Sequence, residues 1–410
     1  MIDRTPTIFV VPEFKRDSKI ESYWYECFHD DDFHDWDVRI VDGTFIGNSD
    51  SFLYSDTYYK SIQLRSIMDL INRKQVHDGD IFVFANAWNY AAIPLSYFRD
   101  EFQMNIHIIG VWGDSLFNQQ SPMWHRFKGK SKQWGRQVEL ALFNAYDMNC
   151  FLSEEHWQMF QRKFGNLKGS YKNKWSGQVM SRYSITGYPF GYLEKESYYS
   201  TEKKDVIIFP YSIHDDIQRD IFQGLKTELP QYTFAFAQKE FNNRLLYHGL
   251  LKDAKTMFCA EFAEYNPVLL YEAMLSGVFP MVPDNKIYQQ LFPEYYRYPL
   301  SIPKFKYSKS MYLLRNRHQL KEYVMGIMDS YDILKISLLR DARTLTKRLY
   351  RNDLFKQMLI DVAGRPPKHA SAKVRKKYRR QQIDQINKNN EPEYDMDRKI
   401  PPPPDVRVRW

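Results

Sequence analysis

Short apolar runs alternate along the chain with longer segments whose apolar residues recur every three or four positions. Thr7–Val11 (TIFVV), Val38–Val41, Ile81–Ala85, Ile106–Trp112 and Met148–Leu152 read as buried strands, too short for helices and rich in β-branched or aromatic residues. Between them, residues 18–28, Lys60–Arg73, Ile93–Glu101 and Glu139–Tyr146 are patterned as helices. In Lys60–Arg73, Ile62, Leu64, Ile67, Met68, Leu70 and Ile71 fall mainly on one face. This alternation predicts a parallel α/β sheet. Tyr183–Thr186 and the turn Gly187-Tyr188-Pro189-Phe190 close a first domain, 1–190, and a linker covers 191–204. A second domain, 205–330, repeats the pattern with strands at Asp205–Pro210, Tyr232–Ala237, Thr256–Ala260 and Val278–Pro283. Pro299–Tyr312 reads as irregular, 331–363 as one long helix crossing back to the first domain, and 364–410 as a basic, Pro-rich tail.

The densest pattern is Tyr247–Asp284, YHGLLKDAKTMFCAEFAEYNPVLLYEAMLSGVFPMVPD, which packs helix, strand, turn, helix, glycine stop and strand into one crossover. Asn266 is placed as an N-cap and Pro267 as the first helical residue, with Gly277 as the stop. Free amides and the helix dipole make such a start a phosphate site, and ligands of open α/β sheets bind beyond strand carboxyl ends. Glu264 lies in the turn and Glu272 on the following helix. The same residues also suit an ordinary amphipathic helix between two core strands, with both carboxylates solvated.

Glu264, seven residues, Glu272, then Ala273, Met274, Gly277 and Pro280 resemble the donor motif of retaining glycosyltransferases with two facing Rossmann-like domains, the GT-B fold. Where members usually carry a glycine-rich turn, this chain has Tyr265 and Asn266. The resemblance implies a nucleotide-sugar donor, a UDP-sugar, as substrate. The turn amides around Tyr265, Asn266 and Val268 would hold its diphosphate, Glu272 the ribose hydroxyls and Glu264 a hydroxyl of the transferred sugar. Arg219 and His214, after the strand 205–210, are the available phosphate-side cations. No metal or other cofactor is required by this reading.

Composition narrows the class. At 410 residues and 43% hydrophobic, the chain suits two domains plus an extension. No apolar run is long enough to span a membrane, the N-terminus lacks the layout of a signal peptide, and three cysteines without metal spacing fit a reducing compartment. A cytoplasmic location is expected, the host cytoplasm for a phage-encoded protein. The acidic and histidine-rich cluster His29, Asp30, Asp31, Asp32, His34, Asp35 and Asp37 precedes a strand rather than ending one, and reads as a solvated loop.

Charge is uneven. Residues 365–410 carry thirteen Lys or Arg against six Asp or Glu, which leaves a net of +1 for the remaining chain. With the basic, aromatic stretch 119–136, this points to a polyanion partner, either nucleic acid, with duplex DNA the one expected, or an anionic membrane surface. In that stretch Trp124, Arg126, Lys128, Lys130 and Trp134 would stack on and hold the acceptor, or form a surface loop with the aromatics turned inward. Asp114, just past the strand 106–112, is placed either as a general base facing the donor or as a turn residue of Gly113-Asp114-Ser115. The expected function is sugar transfer to a hydroxyl; in architecture and donor motif the chain also resembles the DNA-glycosylating enzymes of tailed bacteriophages, which implies hydroxymethylated pyrimidine of phage DNA as the acceptor. The alternatives are a polysaccharide, lipid-linked or protein acceptor, or a nucleic-acid-binding relative without turnover.

Overall fold

Thr7–Val11 forms β1, and its alternation decides the architecture: Ile8 and Val10 enter one core, Phe9 and Val11 the other. The computed structural model describes residues 5–12, 23–24, 26–28, 33, 35–41, 43, 52–113, 131–165, 167, 170–172, 179–195, 199–210, 216–237, 244–260, 267–284, 286–299 and 309–363, without the side chains of 52–57, 131–132, 170–172, 216–219, 244–245, 286–287 and 309–316. All of these fall within one compact unit, Met1–Pro367.

The first half runs β1, β2 (Asp37–Ile40), α1 (Phe52–Asn72), β3 (Ile81–Phe84), α2 (Ala92–Glu101), β4 (His107–Trp112), α3 (Ser131–Ala145), β5 (Met148–Phe151), α4 (Glu154–Phe164), the hairpin strands β6 (Ser170–Lys172) and β7 (Val179–Ser181), and β8 (Tyr183–Ile185). Its main sheet has the order β2-β1-β3-β4-β5-β8, and every pairing is parallel. The strands β1, β3 and β4 are buried on both faces, which is why they read as continuous apolar runs rather than alternating ones.

The second half runs β9 (Lys204–Phe209), α5 (Asp216–Glu228), β10 (Thr233–Phe236), α6 (Arg244–Asp253), β11 (Ala254–Phe258), α7 (Val268–Leu275), β12 (Phe279–Pro283), α8 (Lys286–Leu291) and β13 (Arg297–Tyr298). Its sheet is again parallel throughout, in the order β10-β9-β11-β12-β13. Both sheets reverse direction of strand addition after their second strand, so β1/β3 and β9/β11 are the two switch points, where open α/β sheets leave a crevice.

Three helices follow, α9 (Lys309–Asp329), α10 (Tyr331–Leu349) and α11 (Asn352–Ala363). The single helix expected over 331–363 is thus two. Tyr350 breaks it because its ring is buried, stacked on Tyr271 at 4.5 Å and on Phe190 at 6.2 Å, and because Leu349 O accepts from Tyr188 N at 2.8 Å. The crossover therefore docks on residues 187–191. Gly187 has φ +64°, and a Cβ there would stand 2.3 Å from Leu349 O. Asn352 Oδ1 accepts from Gly191 N at 3.0 Å. Beyond this junction α11 brings Phe355 into an aromatic cluster with Trp24, Phe28 and Phe33 of the first half. It also forms one wall of a cavity of about 240 Å³ against β5 and β8, lined by Met148, Tyr183, Leu354 and Met358 among others.

Candidate functional site

β11 and α7 meet at the switch point of the second sheet. β11 is buried between β9 and β12, which flank it; Cys259 N donates to Met281 O at 2.9 Å and extends the pairing past the strand end. After the turn, α7 begins at Val268, so Pro267 takes the N-cap position expected for Asn266, one residue later than the sequence pattern placed it. Proline brings no side-chain acceptor, and the amides of Val268, Leu269 and Leu270 have no acceptor within the helix. The first turn of α7 therefore carries amides that need an acceptor from outside the helix.

The far end of α7 is closed. Gly277 has φ +78°, its N–H donates to Met274 O at 3.1 Å, and Val278 N donates to Ala273 O at 2.8 Å, the pairing of a Schellman stop. Lys203 Nζ adds a further donor to Ser276 O at 2.7 Å and another to Leu251 O at 2.8 Å, so one ammonium holds the carboxyl ends of α6 and α7 together. Burial lowers the Lys203 pKa to about 8, and Asp253 opposes the shift.

Glu272, only 4% exposed, is the charged residue of α7. It is not solvated on a helix surface: the Tyr23 hydroxyl donates to Oε2, and His248 Nε2 lies 3.3 Å from Oε1. His248 comes from α6 and Tyr23 from the first half of the chain, 249 residues away. Burial raises the Tyr23 pKa well above 10, and the negative charge of Glu272 adds to it, so the phenol stays protonated and donates. Its backbone is fixed as well: Tyr192 Oη donates to Tyr23 O at 3.2 Å and contacts Glu26 Oε2 at 3.0 Å. Next to Glu272, the Tyr271 hydroxyl pairs with Thr346 Oγ1 of α10 at 2.7 Å, and Thr346 pairs with Glu194.

Of the residues selected from sequence, Val268 and Glu272 are thus on α7. Asp114, His214, Glu264, Tyr265 and Asn266, with Trp124, Arg126, Lys128 and Lys130, lie outside the described residues. So does most of the acidic and histidine-rich cluster. Arg219 falls within α5, with its side chain outside the description. Trp134 is 59% exposed, and the segment from Ser131 is the start of α3 rather than part of a loop; its apolar positions continue the helical register of Val138, Leu142 and Phe143. Among the described residues, no group of three or more His, Cys, Asp or Glu side chains is placed to hold a metal, and no helix is long and apolar enough to cross a membrane.

Tyr23, His248 and Lys203 were not singled out by sequence reasoning. His248 lies within the selected stretch, four residues after the start of α6, and a helix leading directly into β11 was the available signal for it.

At the first switch point, the carboxyl end of β3 is followed by a buried polar cluster. Asn86 Oδ1 accepts from Trp88 N at 2.7 Å, Asn89 Nδ2 donates to Gln63 Oε1 at 2.9 Å, and Gln63 Nε2 donates to Pro12 O at 2.7 Å. Lys60 Nζ donates to Trp88 O at 3.0 Å, and Trp88 Nε1 donates to Glu139 Oε1 at 3.2 Å. The cluster shapes the loop beyond β3 from side chains of α1 and α3.

No family model matches the chain, and no curated protein matches it in sequence. Solved structures do match. α,α-Trehalose 6-phosphate synthase from Burkholderia multivorans aligns with TM-score 0.52 and 9% identity, over 88% of this chain and 97% of that one. Anabaena HepE in complex with UDP aligns with TM-score 0.52 and 11% identity, over 88% of this chain and 99% of that one. The pneumococcal O-GlcNAc transferase GtfA, in complex with UDP and GlcNAc, aligns with TM-score 0.46 and 12% identity over 72% of this chain, which spans 60% of that protein's length. The fold is GT-B. Two parallel-sheet Rossmann-like domains with a helical C-terminal region form it here, and at such identity the likeness speaks to fold alone.

Proposed function

We propose that this GT-B chain is a glycosyltransferase that moves a sugar from a nucleotide-sugar, a UDP-sugar, to a hydroxyl acceptor. The observation that carries the reading is the buried Glu272 on α7, directly after the switch-point strand of the second sheet, already accepting a hydroxyl hydrogen bond. A carboxylate in that position suits the ribose hydroxyls of a nucleotide, and the first turn of α7 suits its diphosphate. Further support comes from HepE, which aligns over most of both chains and was solved with UDP.

In this reading the turn before α7, with Glu264, Tyr265 and Asn266, joins Val268 around the diphosphate and sugar, and Arg219 and His214 supply positive charge. Preorganised amides stabilise the charge that builds on the departing diphosphate, and a carboxylate such as Asp114 assists loss of the acceptor proton. The acceptor reading is a hydroxymethylated pyrimidine of duplex DNA: the basic residues of 119–136 and the net +7 of 365–410 favour a polyanion, and the resemblance to phage DNA-glycosylating enzymes supplies the base.

The test is transfer of label from UDP-sugars to hydroxymethylated DNA, glycan, lipid or protein acceptors, with donor binding measured in parallel. Glu272→Ala is expected to raise the dissociation constant of UDP by about tenfold or more. A folded variant that binds UDP like the parent would remove Glu272 from the donor site. Label entering glycan or protein and never DNA would replace the acceptor assignment while leaving the enzyme class in place.

A further inference from the structure

Glu272 has almost no surface left to offer. At 4% exposure, with Tyr23 on Oε2 and His248 beside Oε1, both oxygens already have a partner, and a further hydroxyl needs a neighbouring group to move aside to reach them. The two occupants are held differently. His248 belongs to α6, whose carboxyl end is tied to that of α7 through Lys203, so it moves with Glu272 as one body. Tyr23 comes from the other half of the chain and is anchored there, by Tyr192 on its carbonyl and by Phe190 against its ring at 5.7 Å. Separating the halves slightly would therefore release the phenol and leave the imidazole.

The chemistry of the two hydroxyls is matched. A phenol and a ribose hydroxyl each donate one hydrogen bond to a carboxylate oxygen. We propose that the Tyr23 hydroxyl is an intramolecular competitor for the ribose of the donor, holding Glu272 Oε2 until a ribose hydroxyl displaces it while His248 keeps the carboxylate in position. The inference rests on the nucleotide-sugar reading above and deepens it. It makes Tyr23 a positioning residue of the donor site contributed by the first half, and it couples entry of the nucleotide to the contact between the halves. The apparent affinity for nucleotide is then reduced by the fraction of molecules in which Tyr23 holds the site.

The test is calorimetric titration of UDP and of 2′,3′-dideoxyuridine diphosphate into the full chain, its Tyr23→Phe variant and its Glu272→Gln variant. Tyr23→Phe keeps the ring and its packing and removes only the donor. UDP is expected to bind this variant about tenfold more tightly than the parent, while the dideoxy nucleotide, with no hydroxyl to exchange, binds both equally. Tyr23→Met, which also lacks the donor, gives the same comparison should the phenylalanine variant not fold. Unchanged or weaker UDP binding in the folded variant, with Glu272→Gln still weakening UDP, overturns the competition and leaves the nucleotide site standing. UDP binding that is absent from the parent or indifferent to Glu272→Gln overturns the nucleotide site itself, and the competition with it.

Discussion

His156 lies wholly buried in the first turn of α4, its ring edge-on to Phe151 at 5.4 Å between centroids. Burial lowers its pKa to about 4. The folded chain thus keeps the imidazole neutral, while the unfolded chain takes up a proton below its ordinary pKa. Stability is expected to fall by about 3 kcal/mol as pH drops from about 6.5 to about 4 and to level off below that. Urea unfolding at a series of pH values checks this, and the slope should flatten in His156→Gln. Glu272 shows how far single residues were legible. Its distance from Glu264 and the Ala-Met-x-x-Gly that follows mark it in the sequence, but its partner Tyr23 could not be found there. No local pattern connects residues so far apart, and the tyrosine's hydroxyl is read only once the two halves are packed.

Most individual elements were legible because their signals are local. β1, β3 and β4 are apolar runs bounded by turns, and α7 is bracketed by Pro267 and Gly277. The break between α10 and α11 was not, since neither glycine nor proline marks it. It is made by tertiary contacts of Leu349, Tyr350 and Asn352 with the segment 187–191. Gly187→Ala is expected to cost about 3 kcal/mol or more, because the left-handed backbone and the carbonyl of Leu349 both resist a Cβ. A lowered denaturation midpoint would register it. Phe355→Ala should cost about 4 kcal/mol by emptying the aromatic cluster that α11 shares with Trp24, Phe28 and Phe33. A folded protein with parental stability would show that α11 adds little to the first half. The hairpin β6–β7 and the short β13 also escaped the pattern, as three- and two-residue strands carry too few positions for periodicity.

At the scale of the molecule, the alternation of strands and helices was sufficient to place the chain in a two-sheet α/β class, and the repeated strand order then placed a crevice on each sheet. The proposed polyanion partner rests on charge, a property that says which sign a partner carries and not what it is. Removal of residues 365–410 is therefore expected to weaken association with DNA and flatten its salt dependence while leaving UDP binding unchanged. Equal affinity for DNA at every salt concentration would end the phosphate-contact role of that segment. The docking of α11 on the first half has a consequence for how the protein is made. Trp24 leaves the ribosome before either sheet is complete, yet its neighbour Phe355 arrives only after both sheets have been synthesised. A nascent chain halted near residue 190 would present Trp24, Phe28, Phe33 and Phe190 without their cover, a surface suited to a chaperone and prone to self-association.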